Sequence, residues 1–259
     1  MIKSFLLDLI FPRFCLGCLK ELDRKTASFT CDTCLNSIAL NGIECHVCGF
    51  RTIDGVCKNC KGRTSLKCVW SAGKYENLIL REAINHFKYN SIESLKKPLA
   101  ELVVKYLKKE NLIDKLRCPT PSKPGVGHRV CLVPIPLTWR RKLSRGFNQS
   151  ELLAKELSHT LNCPVINLLK RQKFNAPQAK ISDWKKRKEN ISGAFALSSE
   201  FSKLSPSYPQ IYRCPTSIKY MKVILVDDVS TSGATLEEAA KVLKIAGFKE
   251  IYGLVVAKG

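Results

Sequence analysis

The chain has 259 residues, of which 45% are hydrophobic, so it is long enough to bury a full core and to divide into one large and one small domain. A chain of this length does not require disulfide bonds alone to hold its fold together. The formal net charge of +21 favours polyanionic partners such as nucleic acids, nucleotides or anionic lipids, although a generally basic proteome gives the same balance.

The chain begins with a short apolar run, MIKSFLLDLIF, that contains one lysine. Because the run lacks the small-residue cleavage site of a secretory signal, we interpret it as an amphipathic helix, which is compatible with peripheral membrane association. No stretch of the sequence reaches the roughly 18 apolar residues that a bilayer span needs. The sequence therefore predicts a cytoplasmic protein without a membrane span.

Eight of the thirteen cysteines lie between Cys15 and Cys60 as four CxxC pairs. In a reducing compartment such thiols bind metal rather than form disulfides. Pairing the first CxxC with the second, and the third with the fourth, matches four-thiolate zinc ribbons, with Gly17, Gly49 and Gly62 in their tight knuckles. An interleaved pairing keeps the same ligands, and an iron–sulfur cluster fits these spacings less well. The predicted ligands of two zinc ions are Cys15, Cys18, Cys31, Cys34, Cys45, Cys48, Cys57 and Cys60.

The cysteine-rich segment has few long apolar runs, so we expect metal binding to fold it. Residues 1–66 are predicted to form an N-terminal helix and a double zinc-ribbon module, and residues 67–259 a second domain. His46 is interpreted as a non-ligand, while His86 and His128 can act as bases but are more often structural. Nothing indicates a catalytic cysteine. The scattered thiols are predicted to be buried and inert: Cys68, Cys118, Cys131, Cys163 and Cys214.

From Val69 the pattern changes to strands and helices. VWSAGKY predicts a strand, and ENLILREAINHFKY and SLKKPLAELVVKYLKK predict two helices. A loop rich in proline and glycine spans residues 117–129. VCLVPIPL then predicts a strand that runs into a constrained loop, and FNQSELLAKELSHTL predicts a helix.

The last third of the chain follows a polar loop at residues 199–218. Within KVILVD the four central residues are all apolar, as suits a strand at the centre of a parallel sheet. LEEAAKVLKIAGF predicts a helix that ends at Gly247, and EIYGLVVAK predicts one more strand. This alternation indicates an α/β fold with an open, mostly parallel sheet, preceded by the small cysteine-rich module.

The segment VILVDDVSTSGAT carries a candidate ligand site. Asp227 and Asp228 lie at the carboxyl end of the apolar strand, where open α/β sheets bind ligands. These carboxylates can accept hydrogen bonds from ribose hydroxyls and can hold magnesium through water. Main-chain N–H groups at a helix N-terminus favour a phosphate, and an ordinary N-cap beside acidic residues is the alternative interpretation. The small residues that allow the close approach are Ser230, Thr231, Ser232, Gly233, Ala234 and Thr235.

This segment resembles the phosphoribosyl-pyrophosphate signature of type I phosphoribosyltransferases. LVPIPLTWRRKLSRGFNQSELLAKEL, with residues 133–136 and 145–149, is similar to the ComF family of competence proteins, and so is the cysteine-rich N-terminus. The motifs cover roughly residues 13–258, and the loops at 117–129 and 199–218 match weakly, as insertions do. The resemblance implies a type I phosphoribosyltransferase fold with phosphoribosyl pyrophosphate and magnesium as ligands.

By the same resemblance, the turn at residues 134–137, which begins with Pro134, takes the place of the pyrophosphate loop. Arg140, Arg141 and Arg145 follow it, and planar guanidinium groups can bind phosphate oxygens with paired hydrogen bonds. A solvated basic surface explains Arg140 and Arg141 equally well. The candidate catalytic residues are Asp227, Asp228 and Arg145.

Residues 137–190 are the most basic part of the chain, with thirteen Lys or Arg against four Asp or Glu. Lys185, Lys186, Arg187 and Lys188 are the predicted nucleic-acid contacts. Phe174 and Trp184 lie among these charges and can stack on the bases of a single strand, although they can equally be core residues. In phosphoribosyltransferases this region forms a mobile hood over the ligand. The resemblance therefore implies, as an alternative, that Arg171, Gln178, Arg187 and Asn190 cover the bound ligand.

Three functions are compatible with these features. The resemblance implies a protein of natural transformation that handles incoming single-stranded DNA beside a helicase and a recombination mediator. A working phosphoribosyltransferase, that is a pentosyltransferase, is the second hypothesis, although no residue that selects an acceptor is identified. A ligand-sensing scaffold without turnover is the third.

Overall fold

A computed structural model describes residues 14–22, 30–53, 55–90, 92–116, 130–172, 191–204 and 221–259. The expected N-terminal helix, the loop at 117–129 and most of the loop at 199–218 lie outside these ranges. Within the described ranges, no helix is long and apolar enough to cross a membrane.

The helices and strands follow the order that the sequence predicts, with several short additions. We number them in chain order: α1 (Asp32–Asn36), β1 (Cys68–Lys74), α2 (Leu78–Tyr89), α3 (Lys96–Lys109), α4 (Ile113–Leu116), β2 (Val130–Pro134), α5 (Trp139–Arg145), α6 (Gln149–Leu161), β3 (Leu169–Arg171), β4 (Phe195–Leu197), β5 (Lys222–Ser230), α7 (Ala234–Ile245) and β6 (Glu250–Lys258). Short 3₁₀ turns lie at Lys58–Cys60, Glu93–Leu95 and Ser199–Leu204.

Four strands form one sheet in the order β1-β6-β5-β2, and all neighbours are parallel. Val226 of β5 pairs with Leu254 of β6 on one side and with Pro134 of β2 on the other. The predicted α/β fold with a parallel sheet is therefore confirmed. The two short strands β3 and β4 pair antiparallel as a separate hairpin.

The sheet is covered on both faces, which explains why its central strands show no polar alternation. Ile224 and Val226 of β5 belong to a core that also includes α2, α3 and α6. Val223 and Leu225, which point to the opposite face, belong to a second core with α7. A nearly uninterrupted apolar run thus serves two hydrophobic layers.

A sharp corner between β2 and α6 places several polar side chains at one end of the sheet. Thr138 caps α5 by accepting a hydrogen bond from the Arg141 N–H, and Gly146, with φ of 79°, ends this helix in the left-handed region. Asn148 caps α6, and its Nδ2 donates to the Ile135 carbonyl at 3.1 Å. The capped helix starts orient α5 and α6 around the loop that follows β2.

The cysteine-rich segment packs against the edge of the sheet and against α7. Leu40 forms an antiparallel bridge with Gly73 of β1. The Lys258 ammonium lies 3.3 Å from the Glu44 carboxylate. Glu237 of α7 accepts hydrogen bonds from the Thr64 hydroxyl and from the Ser65 N–H.

Candidate functional site

A cavity of about 430 Å³ opens at the carboxyl ends of the parallel strands. Its walls come from the loops after β1 and β2, the end of β5 and the loop that follows it, the last turn of α2, helix α5 and the hairpin strand β3. This is the edge at which open α/β sheets bind ligands. The structure thus brings together residues that are up to 160 positions apart in the sequence, from Tyr75 to Thr235. At such a separation the topology of the sheet decides which residues lie close together.

Asp227 and Asp228 lie at this edge at the end of β5. Asp227 Oδ1 accepts hydrogen bonds from the Ser150 hydroxyl at 2.8 Å and from the Asp228 N–H at 2.9 Å. Burial and the neighbouring Asp228 carboxylate raise the pKa of Asp227 to about 7, and the Ser150 bond and Lys88 offset only part of this shift. Near neutral pH the acidic pair therefore carries less than two full negative charges.

Lys88, in the last turn of α2, is a member of this site that sequence reasoning missed. Its Nζ lies 2.9 Å from Asp228 Oδ1, and the two side chains are only 15% and 9% exposed. Burial lowers the pKa of Lys88, but attraction to Asp228 outweighs burial and raises it, so the ammonium stays charged. A lysine at the end of an amphipathic helix is typically solvated, so no local signal distinguished Lys88.

Three arginines face the acidic pair across the cavity. Arg141 and Arg145 come from α5 and Arg171 from β3. Burial and the proximity of Arg145 lower the pKa of Arg141, while burial and the proximity of Arg141 lower the pKa of Arg171 to about 10. Because these cations repel one another, an anion bound between them is stabilised.

Arg145 and Arg171 are held by neighbouring side chains. Arg145 Nη1 donates to Gln149 Oε1 at 3.1 Å, and its guanidinium lies over the Tyr89 ring, 5.4 Å from the ring centre. The Arg171 guanidinium lies 5.2 Å from the centre of the Phe195 ring, and among the described residues its buried Nε has no hydrogen-bond partner. A buried donor without a partner is costly, so an incoming acceptor is favoured there.

The predicted phosphate loop divides between two cavities. Thr231 and Thr235 line the cavity with the acidic pair. Ser232, Gly233 and Ala234 line a smaller neighbouring cavity of about 210 Å³. Gly233 precedes α7 with φ of 73° and, as a glycine, offers no side chain to cap the helix. The Ala234 N–H donates to Ser232 Oγ at 3.4 Å. N–H groups at a helix N-terminus are groups that bind phosphate.

Two predicted ligand contacts are not brought to the cavity wall. Pro134 pairs with Val226 inside the sheet, whereas the following Ile135 and Leu137 line the cavity. Arg140 is exposed, and its guanidinium lies 5.5 Å from the centre of the Trp139 ring. Ligand binding by Pro134 and Arg140 stays a prediction.

The eight cysteines of the CxxC pairs form two clusters with the sequential pairing that the spacing favours: Cys15, Cys18, Cys31 and Cys34, then Cys45, Cys48, Cys57 and Cys60. Within each cluster all four sulfur atoms lie within 4.8 Å of one another. Sγ–Sγ distances are 3.7 Å for Cys15–Cys31 and 3.6 Å for Cys48–Cys57. A zinc tetrahedron with bonds of about 2.3 Å has edges of about 3.8 Å, so both donor sets fit zinc.

Main-chain groups prepare the first cluster for metal binding. The N–H groups of Gly17 and Cys31 donate to Cys15 Sγ at 3.4 and 3.3 Å. Burial raises the pKa of Cys15, but such N–H donors outweigh burial and lower it to about 6. Gly17 is needed because a Cβ atom there would lie 2.8 Å from Cys34 Sγ. The thiolate is the form that binds zinc.

The second cluster is built alike and is joined to α7. Burial raises the pKa of Cys45, but hydrogen bonds from neighbouring N–H groups lower it to about 6. Gly49 follows this cluster's first knuckle with φ of 78°. His46 lies next to Cys45 but is not a member of the cluster. Its Nε2 lies 3.0 Å from the Thr64 hydroxyl. That hydroxyl donates a hydrogen bond to Glu237 at 2.5 Å. Since Thr64 gives its hydrogen to Glu237, His46 Nε2 acts as the donor.

Several predicted residues lie outside the described residues and keep the status of predictions. They include the four cationic residues at 185–188, the rings predicted to stack on bases, Phe174 and Trp184, and the residues predicted to cover the ligand, Gln178 and Asn190. Cys118, Cys214 and His128 also lie outside the described residues. Within the described ranges, Cys68, Cys131 and Cys163 are buried, as expected for inert thiols. His86 Nδ1 lies 2.7 Å from Asn90 Nδ2 on the surface of α2.

Residues 148–259 match the family model of the phosphoribosyl transferase domain, which covers α6, β5, α7 and β6. The chain is 31% identical over 169 residues to "Competence protein F" of Haemophilus influenzae, an alignment that covers 65% of this chain and 63% of that protein. It is 28% identical over 218 residues to "Competence protein ComFC" of Bacillus subtilis, which covers 82% and 77%.

A shorter match extends the comparison. "DNA utilization protein YhgH" of Escherichia coli K12 is 34% identical over 113 residues, 43% of this chain and 42% of that protein. The acidic pair lies among the residues that match the phosphoribosyl transferase domain, and the two cysteine clusters precede these residues. The chain is thus similar to the ComF competence proteins, and its C-terminal part matches a phosphoribosyl transferase domain.

Proposed function

We propose that the protein acts in natural transformation, where it handles incoming single-stranded DNA, and that its C-terminal domain binds phosphoribosyl pyrophosphate with magnesium. The observation that carries the ligand assignment is the acidic pair at the end of β5, which faces three arginines across one cavity. The names of the relatives, two competence proteins and a DNA utilization protein, support the biological role.

The ligand's chemistry matches the distribution of charge in the cavity. Asp227 and Asp228 accept hydrogen bonds from the ribose hydroxyls, and the first-turn N–H groups of α7 bind the 5-phosphate. Arg141, Arg145 and Arg171 bind the diphosphate, which needs several cations at fixed positions. Magnesium, held at the acidic pair through water, supplies positive charge next to the diphosphate.

Lys88 sets the charge balance of the acidic pair in this proposal. Its ammonium already neutralises Asp228. With Asp227 partly protonated near neutral pH, the pair attracts magnesium only after Asp227 loses its proton. Ligand and metal binding are therefore expected to strengthen as the pH rises through about 7.

An active phosphoribosyltransferase is the second candidate, because two tyrosines line the same cavity beside the charged groups. Tyr75 and Tyr89 can cover a flat acceptor, and the Tyr75 hydroxyl donates to Asn85 Oδ1 at 3.0 Å, which orients its ring. In this reaction the acceptor's lone pair forms a bond to C1 of the ribose while the bond from C1 to the diphosphate oxygen breaks. The arginines then bind the pyrophosphate that leaves.

The test compares the wild type with Asp227→Asn and with the double variant Asp227→Asn/Asp228→Asn. Calorimetric titration with phosphoribosyl pyrophosphate and magnesium is expected to show binding that both variants lose. Glu93→Gln, at an exposed acid outside the cavity, is the matched control and should bind like the wild type. If the double variant binds the ligand with wild-type affinity, the site assignment is wrong.

Transformation frequency and pyrophosphate release separate the candidate functions. A variant that cannot bind the ligand is expected to lose transformation if the ligand is needed for DNA handling. If that variant transforms at the wild-type frequency, ligand binding at this site is not needed for transformation. Pyrophosphate release with a nitrogenous acceptor would favour the transferase, and ligand binding without release would favour a sensing role.

The cationic residues Lys185, Lys186, Arg187 and Lys188 remain proposed contacts to the strand. Neutralising all four is expected to weaken binding of a single-stranded oligonucleotide. The slope of log affinity against log salt should fall by about 3, since each phosphate contact to a single strand contributes about 0.7. An unchanged slope would remove these residues from the interface.

A further inference from the structure

Helix α5 presents a second surface beside the cavity. Its seven residues, Trp139–Arg145, include four cations and no acid, and none of them is buried. The helix is capped at both ends, by Thr138 and by Gly146, so the backbone that carries its exposed side chains has a defined position beside the cavity.

The helix has two faces with different chemistry. Arg141 and Arg145, four residues apart, line the cavity. Trp139 and Leu143, also four residues apart, are 57% and 74% exposed. Because residues four apart share one side of a helix, Trp139 and Leu143 form an outward apolar stripe bordered by cations.

Aromatic rings at this rim are ordered by arginine. The Arg140 guanidinium lies 5.5 Å from the centre of the Trp139 ring. Tyr89, which is 65% exposed, has the Arg145 guanidinium 5.4 Å from its ring centre. An exposed ring that a guanidinium already holds in place loses little freedom when a nucleobase stacks on it.

We propose that the outward face of α5, formed by Trp139, Arg140, Lys142 and Leu143, binds a single-stranded nucleic acid, with bases stacked on Trp139 and phosphates near the two cations. This inference rests on the proposed function, for which it supplies a strand-binding surface among the described residues. Interleaved cations and exposed rings are the chemistry by which single strands are bound without sequence preference. The surface borders the cavity, so strand and ribose phosphate occupy adjacent sites.

Charge and length favour a nucleic acid over other occupants. Seven residues with one Trp and one Leu offer too little apolar area to bury a helix in a lipid surface, for which a longer apolar face is needed. An apolar protein contact does not need the run of cations in this helix. A polyanion with flat apolar groups satisfies both features.

The test measures binding of a fluorescent oligo-dT by anisotropy. Trp139→Ala is expected to weaken binding by about five- to a hundredfold, the effect of losing one base–aromatic stack, while Trp139→Phe keeps most of the affinity. Ile245→Ala, which removes another exposed apolar side chain, should bind like the wild type. Arg140→Gln/Lys142→Gln should lower the salt slope by about 1.4, whereas Trp139→Ala should not change it.

Intrinsic fluorescence gives an independent measure of stacking. The chain has three tryptophans, and buried Trp70 is stacked on Tyr252 with ring centres 4.8 Å apart. Stacking of a base on Trp139 is expected to quench its emission, and Trp139→Phe should remove that part of the quenching while binding persists.

The outcomes separate this inference from the proposed function. If the wild type binds the strand and Trp139→Ala binds equally well, the α5 surface is rejected and strand handling stands. If the wild type binds no single strand, both are rejected. If Trp139→Ala loses binding to vesicles of anionic phospholipid but not to oligo-dT, the face is a lipid site and the inference is wrong. Calorimetric titration with phosphoribosyl pyrophosphate should give wild-type affinity for Trp139→Ala, which shows that the variant is folded.

Discussion

The two cysteine clusters and the acidic cavity are assembled in different ways. Each cluster uses two CxxC pairs from a stretch of about 20 residues or fewer, and main-chain N–H groups of the same knuckles donate to its sulfur atoms. The site at the cavity combines side chains of α2, α5, α6 and β3 with those at the end of β5 and in the loop that follows it. A local motif thus specifies a metal site completely, whereas a site built across a sheet depends on which segments the fold brings together.

The two regions also differ in charge, because a cysteine cluster holds groups of one kind whereas the cavity holds both carboxylates and cations. A cluster presents four sulfur ligands of one kind, and four thiolates this close repel one another unless a cation lies between them. The cavity opposes two carboxylates to four cations; the Lys88–Asp228 ion pair balances part of this charge within the chain, and a net positive charge remains for an anionic ligand. We therefore expect the clusters to depend on metal for folding, and the cavity to be stable before a ligand enters.

The largest expected effect is the loss of one metal site. Cys45→Ser should reduce bound zinc from two ions per chain to one and unfold the second knuckle, because structural zinc contributes on the order of 10 kcal/mol to folding in small zinc modules. Elemental analysis of the purified protein measures the zinc content. Cys163→Ser, at a buried thiol whose Sγ donates to the Leu116 carbonyl, is the control and should keep both ions. Two zinc ions in Cys45→Ser would contradict the assignment of this cluster.

The next effect concerns the buried ion pair of the cavity. Asp228→Asn leaves the Lys88 ammonium buried without its partner, and it should lower the free energy of unfolding by about 3 kcal/mol. The double variant Lys88→Met/Asp228→Asn removes both charges and should recover most of that loss. Urea unfolding of the three proteins measures these differences. Equal stability of the wild type and Asp228→Asn would show that the pair is solvated rather than buried.

A smaller effect is the pH dependence that Asp227 creates. Its pKa is raised from 3.8 to about 7, so between about pH 4 and pH 7 the folded chain holds a proton that the unfolded chain releases. The contribution of this carboxyl to the free energy of unfolding therefore falls as the pH rises through that window, and it is constant above it. Asp227→Asn should lack this pH-dependent contribution to the free energy of unfolding, because the amide does not titrate. The difference between the wild type and the variant, measured by urea unfolding from pH 4.5 to pH 8, should change with pH; a constant difference would contradict the raised pKa.

The smallest effect concerns the contact between the two regions. Glu237→Gln weakens the bonds from the Thr64 hydroxyl and the Ser65 N–H, and it should cost about 1 kcal/mol. Hydrogen exchange at residues 64–66 should become faster while zinc content stays unchanged. Glu238→Gln, at the next residue of α7, is the control and should leave exchange at residues 64–66 unaltered. Faster exchange in the control alone would show that Glu237 does not make this link.

The sequence predicted those features whose signal is local. The uniform apolar run of β5, the helical spacing of α2 and α6 and the CxxC pairs each lie within a short stretch, and the structure confirms them. The helix α5 was missed because seven residues with exposed Trp139 and Leu143 give no amphipathic pattern directed to a core. The three-residue strands β3 and β4 are stabilised by pairing with each other rather than by propensity.

Side chains that meet only in the folded chain could not be predicted in this way. Ser150 was placed on a helix, but its bond to Asp227 joins residues far apart in the sequence. Lys88 approaches Asp228 because α2 and β5 flank the same end of the sheet. Gln149, buried in α6, donates to the Phe87 carbonyl and accepts from Arg145, so it links α2 to α5. These contacts depend on the parallel order of the strands rather than on any motif.

The central claim is that the acidic pair and the start of α7 bind a phosphorylated ribose. A crystal structure of the chain soaked with phosphoribosyl pyrophosphate and magnesium tests it most directly. We expect the 5-phosphate at the N–H groups of residues 231–235, the ribose hydroxyls at Asp227 and Asp228, and the diphosphate near Arg141 and Arg171. An empty cavity at saturating ligand, or the ligand bound in the smaller cavity beside His46, would contradict this account.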